Sequence, residues 1–508
     1  MNALLNGMKD ATNYTLTENG GITHVTTKSD LLDMFAMGAA MRSRSDADVI
    51  LMFMKAFQEN PSYALKCLFY IRDVRGGQGE RRFFRVIMKW LAENHTDAAR
   101  RNLQYVPEFG RWDDFYVFVG SPLQNDALQI MKDQLELDVQ CKTPSLLAKW
   151  MKSENTSSAD SRRLGGITRK FLGMNHKQYR KTLSILRERI NVLERLMSEN
   201  RWDEIEFDKI PSKAGFIYRN AFARHDIERM KSEKPVRTYE DFMKDEKTTV
   251  NAKDLYPYEV VAKAYNLTHN PSDGWGYSSN FYTGNSIERN VINKYWDNLK
   301  DYFNGCSLDA LCMIDTSGSM WGEEASAPIN VAISLGLYAA ERARGPFAGH
   351  YISFSRRPQL IETVGVDFCD KVQRIYKTNL CENTNIEAAF DMLLNTAIKN
   401  RCTQDDLPKS IIIISDMEFD GQRGSYGRSN NTLMENIATK WAQYGYQMPH
   451  LVYWNVQARH DNVPMDVKDG VTLVSGFSPV LFEQIMKGKT AYDLMFDKLD
   501  SDRYACIK

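Results

Sequence analysis

Short oxygen-bearing side chains lie at three points in the C-terminal part of the sequence, each beside a predicted strand or helix. One group directly follows the apolar run 310–314, one residue follows the β-branched run 410–415, and one precedes a helix predicted over 386–398. These residues are Asp315, Ser317, Ser319, Thr384 and Asp416. A hard cation such as Mg²⁺ takes oxygen ligands and tends to keep several waters. The sequence therefore predicts a site for Mg²⁺ or another divalent cation such as Mn²⁺.

Arginine and glycine are concentrated in the stretch 72–82, which reads RDVRGGQGERR. Glycine lets the backbone approach a ligand closely, and the arginine fork matches phosphate. No GK[ST] follows, so the stretch is not a Walker loop. The candidate phosphate contacts, here and in later basic segments, are Arg72, Arg75, Arg81, Arg82, Arg162, Arg163, Arg169, Lys170, Lys177, Arg180 and Lys181. The alternative for the stretch 72–82 is an inter-helix turn that contains ion pairs. For the later basic segments, the alternative is that their residues are ordinary surface charges.

Charge is distributed unevenly along a chain that is neutral overall, with 65 Lys and Arg against 65 Asp and Glu. Residues 1–300 carry 45 basic and 39 acidic side chains, whereas residues 301–508 carry 20 and 26. Within the first part, residues 141–237 carry 22 basic and 12 acidic side chains. Such an excess suits a phosphate backbone, although well-solvated helices would show the same bias.

The 508 residues are too many for one ordinary core and indicate two to four domains. Hydrophobic residues make up 43% of the chain, which argues for folded domains. No apolar run approaches about 18 residues, and the first residues lack the apolar core of a signal peptide, so no membrane span is expected. Eight sparse cysteines without a CxxC pair indicate a reducing compartment. We therefore expect a cytoplasmic protein.

Hydrophobic periodicity in the first 300 residues predicts helices almost throughout. In the stretch 177–197, apolar residues recur at spacings of four and three, which places them on one helical face. Apolar residues also recur at helical spacing in 46–60 and 82–91. Helix after helix with short polar breaks is typical of an α-solenoid or a large bundle.

We therefore predict an all-helical domain, an α-solenoid or a large bundle, over residues 1–300. Its last part, 230–300, is predicted to be a loop or linker. Within that part, the stretch 270–286 is rich in Gly, Ser, Asn and aromatic residues, as is typical of a long loop.

After about residue 305, strand-like and helix-like stretches alternate. The predicted strands are 310–314, 349–354, 410–415, 450–455 and 471–474. The predicted helices are 328–344, 386–398, 433–443 and 479–487. A βα repeat predicts a mostly parallel, doubly wound α/β sheet with helices on both faces. Because ligands of such sheets lie beyond the carboxyl ends of the strands, the oxygen-bearing side chains are expected to meet there.

This C-terminal part resembles the von Willebrand factor type A domain. The sequence DTSGS at 315–319, together with Thr384 and Asp416, is similar to the metal-ion-dependent adhesion site (MIDAS) of that family. The resemblance covers residues 305–508 in the order of strands and helices. It implies a domain that binds a partner through a bound Mg²⁺ ion.

The resemblance also assigns a role to each candidate ligand. It implies direct binding of the ion by Ser317, Ser319 and Thr384, and binding directly or through water by Asp315 and Asp416. One further position would be left for an acidic group of a partner. Glu418 and Asp420 lie beside the predicted site and are interpreted as solvated loop charges, with tuning of the site as the alternative.

The helical part resembles an uncharacterised family related to the Ro (TROVE) proteins, with a likeness that spans most of residues 14–230. The segments that carry it include RDVRGGQGERRFFR, RRNLQYVPEFGRWDD, SLLAKWMKSENTSS and TRKFLGMNHKQYRKTLSILRERINVLE. Ro proteins place a ring of HEAT-like helical repeats beside a type A domain and bind small non-coding RNA and the ends of misfolded RNA. The resemblance implies an all-helical domain of HEAT-like repeats, open as a solenoid or closed as a ring, and a ribonucleoprotein function, but it does not match the binding residues one by one.

Two functions from different classes are therefore predicted. The first is a non-catalytic RNA-binding scaffold of Ro type, with a Mg²⁺-dependent type A domain for a partner. The alternative is a metal-dependent module that binds an acidic protein ligand, on a helical scaffold without nucleic acid. The sequence contains no GxSxG, HExxH, Walker or kinase motif, so no enzyme activity is predicted.

Overall fold

A computed structural model of the chain describes residues 12–231, 236–268, 286–305, 307–354, 357–378, 385–420, 433–464 and 471–508. The strands in these residues are β1 (Tyr14–Leu16), β2 (Ile22–His24), β3 (Ala310–Asp315), β4 (His350–Phe354), β5 (Gln359–Glu362), β6 (Ser410–Ser415), β7 (His450–Asn455) and β8 (Thr472–Ser475). The α-helices are Asp30–Met37, Asp46–Glu59, Pro61–Arg72, Arg82–Asn94, Thr96–Asn102, Val106–Phe109, Gln124–Gln140, Leu147–Trp150, Ala159–Phe171, His176–Arg189, Leu193–Ser198, Ser212–Arg224, Asp226–Met230, Tyr239–Lys244, Pro257–Thr268, Ser286–Asp297, Pro328–Arg342, Phe368–Thr378, Ile386–Asn400, Leu433–Gln443, Phe482–Ile485 and Ala491–Leu499.

The chain divides into two compact units, each assembled from separate stretches of sequence. The sheet unit comprises Met1–Arg44, Gln58–Asn60 and Met243–Lys498. The helical unit comprises Ser45–Phe57, Pro61–Phe242 and Leu499–Lys508. This division differs from the predicted boundary near residue 300, because residues 1–44 and 243–300 belong to the sheet unit and residues 499–508 belong to the helical unit. The broad prediction of an N-terminal helical region and a C-terminal α/β region is confirmed.

A six-stranded sheet forms the core of the sheet unit, in the order β5-β4-β3-β6-β7-β8. Strands β4, β3, β6, β7 and β8 run parallel, whereas β5 pairs with β4 in the antiparallel direction. The chain moves outward from β3 to β5 and then returns to pair β6 on the other side of β3. In an open α/β sheet such a reversal opens a crevice at the carboxyl ends of the two strands.

The composition of the central strands explains their position. Strand β3 (ALCMID) is buried along its whole length, and β6 (SIIIIS) is buried apart from its first residue. Runs of this kind suit parallel strands that are covered on both faces. The helix Pro328–Arg342 packs against β3, β4 and β6, and its Gly336 leaves no room for a Cβ beside Ile314. All five strands predicted in this region are present, and the short, largely exposed β5 was not predicted.

The helical unit is built on aromatic packing between its first helices. Phe69 lies with its ring centroid 5.3 Å from that of Phe84 and 5.4 Å from that of Phe109, both in edge-on arrangements. Such pairs add about 0.5–1.5 kcal/mol each beyond the area that they bury. The helices predicted over 46–60 and 82–91 are present as Asp46–Glu59 and Arg82–Asn94.

Two predictions for the first 300 residues need correction. The single helix predicted over 177–197 is two helices, because Asn191 adopts a left-handed conformation (φ 49°) that ends the first one. The region 230–300 is not a continuous linker, since helices occupy 239–244, 257–268 and 286–297. The predicted loop 270–286 lies outside the described residues except at its last position. In the part of the chain that the structure describes, no helix is long and apolar enough to cross a membrane.

Candidate metal centre

The ends of the two central strands bring predicted metal-site residues together. Asp315 is the last residue of β3, and β6 ends at Ser415, directly before Asp416. The two strands are parallel neighbours in which Ile314 pairs with Ile414, so both strands end at the same edge of the sheet.

The candidate site draws on both of these segments. Asp315 ends β3, Ser317 and Ser319 come from the loop that follows it, and Asp416 comes from the loop after β6. Thr384 lies outside the described residues. Asn385, which follows it, caps the helix Ile386–Asn400 by accepting a hydrogen bond from the backbone N–H of Ala388 at 2.9 Å.

Hydrogen bonds fix the carboxylate of Asp315, which is fully buried. Its Oδ1 accepts from the backbone N–H of Ser317 at 2.9 Å, and its Oδ2 accepts from the hydroxyl of Ser415 at 2.5 Å. The hydroxyl oxygens of Ser317 and Ser319 lie 3.1 Å apart. The loop therefore gathers its oxygen-bearing side chains at the end of β3.

The carboxylate of Asp416 is equally buried but only half satisfied. Its Oδ1 accepts from the backbone N–H of Glu418 at 3.3 Å. Its Oδ2 has no hydrogen-bond partner among the described residues, and the Nη1 atom of Arg459 lies 3.7 Å away. A buried polar atom without a partner in a native structure requires an explanation, such as an ion.

Electrostatics at the site favours a cation. Burial, and then the negative charge of Asp416, raise the pKa of Asp315 to about 7. Burial also raises the pKa of Asp416, although the hydroxyl of Ser319 and the charge of Arg459 act in the opposite direction. Two neighbouring buried carboxylates favour either protonation or a positive charge between them. The side chains present therefore fit a small divalent cation.

The donor set differs from a centre built on carboxylates, thiols or imidazoles. Among the residues that the structure describes, no group of three or more His, Cys, Asp or Glu side chains could hold a metal ion. The candidate site combines two carboxylates with serine hydroxyls, which are oxygen donors of the kind that Mg²⁺ accepts.

The loop after β6 is more tightly held than the sequence suggested. Glu418 is buried, with its Oε2 accepting from the backbone N–H of Glu18 at 2.7 Å and its Oε1 accepting from the side chain of Asn462 at 3.3 Å. The interpretation of Glu418 as a solvated charge is therefore wrong. Met417, next to Asp416, has φ 67°, a conformation that is unusual for a residue other than glycine and that recurs at functional sites.

Sequence reasoning missed the N-terminal segment that packs on this loop. Thr17 donates its hydroxyl to the carbonyl of Phe419 at 2.6 Å, and Asn19 donates its side-chain amide to the carbonyl of Glu418 at 2.6 Å. A Cβ on Gly21 would lie 2.8 Å from the carbonyl oxygen of Phe419, so only glycine permits this approach. The Gly-Gly pair after Asn19 was the available signal.

In the helical unit, the structure corrects the expectation that Arg72 contacts phosphate. Arg72 is only 1% exposed, and its Nη2 lies 2.8 Å from Oδ2 of the buried Asp114. A Cβ on Gly110 would lie 2.3 Å from that oxygen, so the pair is enclosed by backbone. The guanidinium is therefore a structural group.

Several other candidate phosphate contacts already have local partners, as expected for an inter-helix turn with ion pairs. Such pairs do not exclude a ligand, but they reduce the charge available to one. The contacts are Arg75 to the carbonyl of Glu108, Arg82 to Asp46, Arg162 to the carbonyls of Thr156 and Ser157, Arg163 to Asp160, and Arg169 to Glu154.

The remaining candidates are exposed. Lys177, Arg180 and Lys181 lie at helical spacing on the exposed face of His176–Arg189, and Lys170 is exposed near the end of the preceding helix. Arg81 is exposed too. These five side chains have no ion pair with the described residues, so their charge is available to a ligand.

Comparison with known proteins places the chain among families whose function is unknown. Residues 17–166 and 138–304 match a family described as "Domain of unknown function (DUF2828)", which together is more than half of the chain. Residues 309–503 match one described as "Domain of unknown function (DUF7788)". An uncharacterised protein of Acanthamoeba polyphaga mimivirus is similar, at 28% identity over 514 residues that cover 94% of this chain and 85% of the viral protein.

Proposed function

The chain belongs to the DUF2828 family, and from the geometry at the end of its sheet we propose that it is a divalent-cation-dependent binding protein. The observation that carries the proposal is Oδ2 of Asp416, which is buried near the carboxylate of Asp315 without a hydrogen-bond partner in the described part of the chain. Leaving a buried polar group without a partner costs about 1–3 kcal/mol, and more when it is charged. Mg²⁺ at this position would remove that cost.

We propose further that the sheet unit has the von Willebrand factor type A fold and that the site is its MIDAS. The reversal of strand order between β3 and β6 supports this, because it places a ligand crevice where Asp315 and Asp416 lie. Ser317, Ser319 and Thr384 would hold Mg²⁺ or Mn²⁺ directly. The two aspartates would hold it directly or through water.

The ligand that we propose is an acidic group of a partner protein. When bound, Mg²⁺ supplies positive charge and takes an additional oxygen ligand. The role of this chain is to hold the ion and orient its open position, with Asp315 fixed by its two hydrogen bonds. The proposal is a binding function and includes no reaction.

Calorimetric titration of the full chain with MgCl₂ and MnCl₂ tests the metal site. We expect saturable binding by the wild-type chain and a loss of roughly 10–100-fold in affinity for Asp416→Asn, because a carboxylate that faces the ion is gone. Asp497→Asn is the matched control, since it removes an exposed carboxylate of the same unit that pairs with Lys489. Equal affinities for the wild type and Asp416→Asn would contradict the proposal.

The acidic ligand is tested with two labelled hexapeptide libraries that differ only in one fixed residue, glutamate or glutamine. Fluorescence anisotropy in Mg²⁺ and in EDTA measures binding to the full chain. Preference for the glutamate library that disappears in EDTA supports the proposal. Binding that is the same in EDTA, or the same for both libraries, contradicts it.

The exposed basic side chains favour RNA binding by the helical unit as a second candidate function. Lys177, Arg180 and Lys181 present three charges on one helix face, with Lys170 near the end of the preceding helix. We propose that this unit is a HEAT-like repeat of Ro type and that it binds small non-coding or misfolded RNA along its phosphate backbone.

Anisotropy of a labelled single-stranded RNA, titrated at several KCl concentrations, tests this second function. We expect the logarithm of the association constant to fall linearly with the logarithm of the KCl concentration. For each phosphate contact that a substitution removes, this line should become less steep by about 0.7. Lys177→Glu with Lys181→Glu should weaken binding, whereas Lys399→Glu with Lys409→Glu in the sheet unit should not. Absence of binding at low salt would rule the function out.

A further inference from the structure

The guanidinium of Arg459 lies between two carboxylates of the sheet unit, hydrogen-bonded to Glu18 and in a longer ion pair with Asp416. Its Nη1 is 2.9 Å from Oε2 of Glu18 and 3.7 Å from Oδ2 of Asp416. Its Nη2 is 3.3 Å from Oε1 of Glu18, so both terminal nitrogens point to that residue. Arg459 therefore approaches the candidate metal site without forming a hydrogen bond to it.

Glu18 is presented to Arg459 by a segment that is fixed to the loop of the metal site. Its backbone N–H donates to Oε2 of Glu418 at 2.7 Å, and the neighbouring Asn19 donates to the carbonyl of the same residue. Since these contacts use the backbone and a neighbour, the carboxylate of Glu18 is left for Arg459.

The backbone of Arg459 is also fixed from the N-terminal part of the sheet unit. Arg44 donates to the carbonyl of Arg459 at 3.2 Å and pairs with Asp461 at 3.0 Å. The ring of His460 adds a second basic group 3.8 Å from Glu18. Both backbones are thus held by hydrogen bonds, and the guanidinium of Arg459 lies between the carboxylates of Glu18 and Asp416.

We propose that Glu18 is a positioning residue of the cation site, which acts by holding Arg459 on itself and out of hydrogen-bond contact with Asp416. The inference rests on the proposed function and adds to it a contribution from Glu18, which lies 398 positions before Asp416 in the chain. A guanidinium in contact with Asp416 would neutralise that carboxylate and repel a divalent cation. Because Arg459 has Glu18 as its partner, Oδ2 of Asp416 stays available to Mg²⁺.

The two members of the pair therefore have opposite effects on the cation. Loss of the Glu18 charge frees Arg459 to move the short distance to Asp416, which weakens cation binding. Loss of the Arg459 charge removes a positive group 3.7 Å from a ligand oxygen, which strengthens it. If Glu18 acts through Arg459 alone, its substitution has no effect once Arg459 is neutral.

Calorimetric titration of the full chain with MgCl₂ tests this with four proteins: wild type, Glu18→Gln, Arg459→Gln and the double variant. We expect Glu18→Gln to bind Mg²⁺ about threefold more weakly and Arg459→Gln to bind it about threefold more tightly, as for the charges of a partly exposed ion pair. The double variant should match Arg459→Gln. The control Glu483→Gln removes an exposed carboxylate that lies 3.8 Å from Lys300, and it should leave the affinity unchanged.

Other outcomes overturn the inference in distinguishable ways. If the wild type binds no Mg²⁺, the proposed function fails and this inference fails with it. If the wild type binds but Glu18→Gln has wild-type affinity, only the inference fails. If Glu18→Gln weakens binding equally with and without Arg459, Glu18 acts through its own charge and the positioning role is overturned. Glutamine keeps the backbone contacts of residue 18, and equal melting temperatures of the four metal-free proteins confirm that the fold is retained.

Discussion

Burial changes the chemistry of single residues that look ordinary in the sequence, and Asp33 shows this most clearly. Its Oδ1 accepts from the backbone N–H of Thr27 at 2.8 Å, and its Oδ2 accepts from the hydroxyl of Thr26. Burial nevertheless raises the pKa of Asp33 to about 6, because these hydrogen bonds do not offset the loss of water. The folded protein therefore holds a proton on this residue more tightly than the unfolded chain does.

That difference predicts a pH dependence of stability. Between the ordinary value of 3.8 and about 6, the folded state binds more protons than the unfolded state, so the free energy of unfolding falls as pH rises. The contribution amounts to about 3 kcal/mol. Asp33→Asn should remove it, since an amide accepts from Thr27 and donates to Thr26 at every pH.

Urea unfolding at pH 4, 5, 6 and 7 measures this effect. The difference in stability between Asp33→Asn and the wild type should grow in favour of the variant as pH rises. The exposed Asp405 supplies the control, because Asp405→Asn should leave the shape of the pH profile unchanged. Parallel profiles for wild type and Asp33→Asn would show that Asp33 does not titrate in this range.

Secondary-structure elements were predictable where a local pattern decides them. The run SIIIIS forms a buried central strand, and the helix predicted over 433–443 has those bounds. Local patterns failed where a single residue ends a helix, or where a strand lies at the edge of the sheet. Asn191 ends a helix inside a continuous apolar stripe, and β5 is a short edge strand with little apolar alternation.

The same limit applies to the elements of the candidate site. Asp315 and Asp416 could be placed at one edge of the sheet because parallel neighbours end together. The sequence could not predict that Glu418 is buried or that Glu18 lies beside the loop of the site. Both depend on contacts between residues about 400 positions apart. Arginines posed the same difficulty, since Arg72 and Arg81 lie in the same Arg- and Gly-rich stretch but only Arg72 is buried against Asp114.

At the scale of the whole molecule, each unit depends on distant parts of the chain. In the helical unit, Asp73 is fully buried and is met by the last ten residues. Oδ1 of Asp73 accepts from Nη2 of Arg503 at 2.6 Å, and its Oδ2 accepts from the hydroxyl of Tyr504 at 2.9 Å. The ring of Tyr504 also stacks on that of Phe109, with centroids 5.5 Å apart. The stretch 499–508 is thus part of the core of this unit.

Removal of residues 499–508 should therefore destabilise the helical unit far more than loss of ten surface residues would. The carboxylate of Asp73 would keep its hydrogen bond from the backbone N–H of Arg75 but would lose its charged partner Arg503, and removing one partner of a buried pair costs up to about 3–5 kcal/mol. Hydrogen exchange over residues 61–109, followed by mass spectrometry, locates the effect. Adding Asp73→Asn to the shortened chain should restore part of the protection, because no unpaired charge then remains.

The change Arg201→Ala, which breaks an exposed pair with Glu204, should leave exchange over 61–109 unchanged. Unaltered exchange in the shortened chain would mean that the helical unit is complete without its C-terminal stretch.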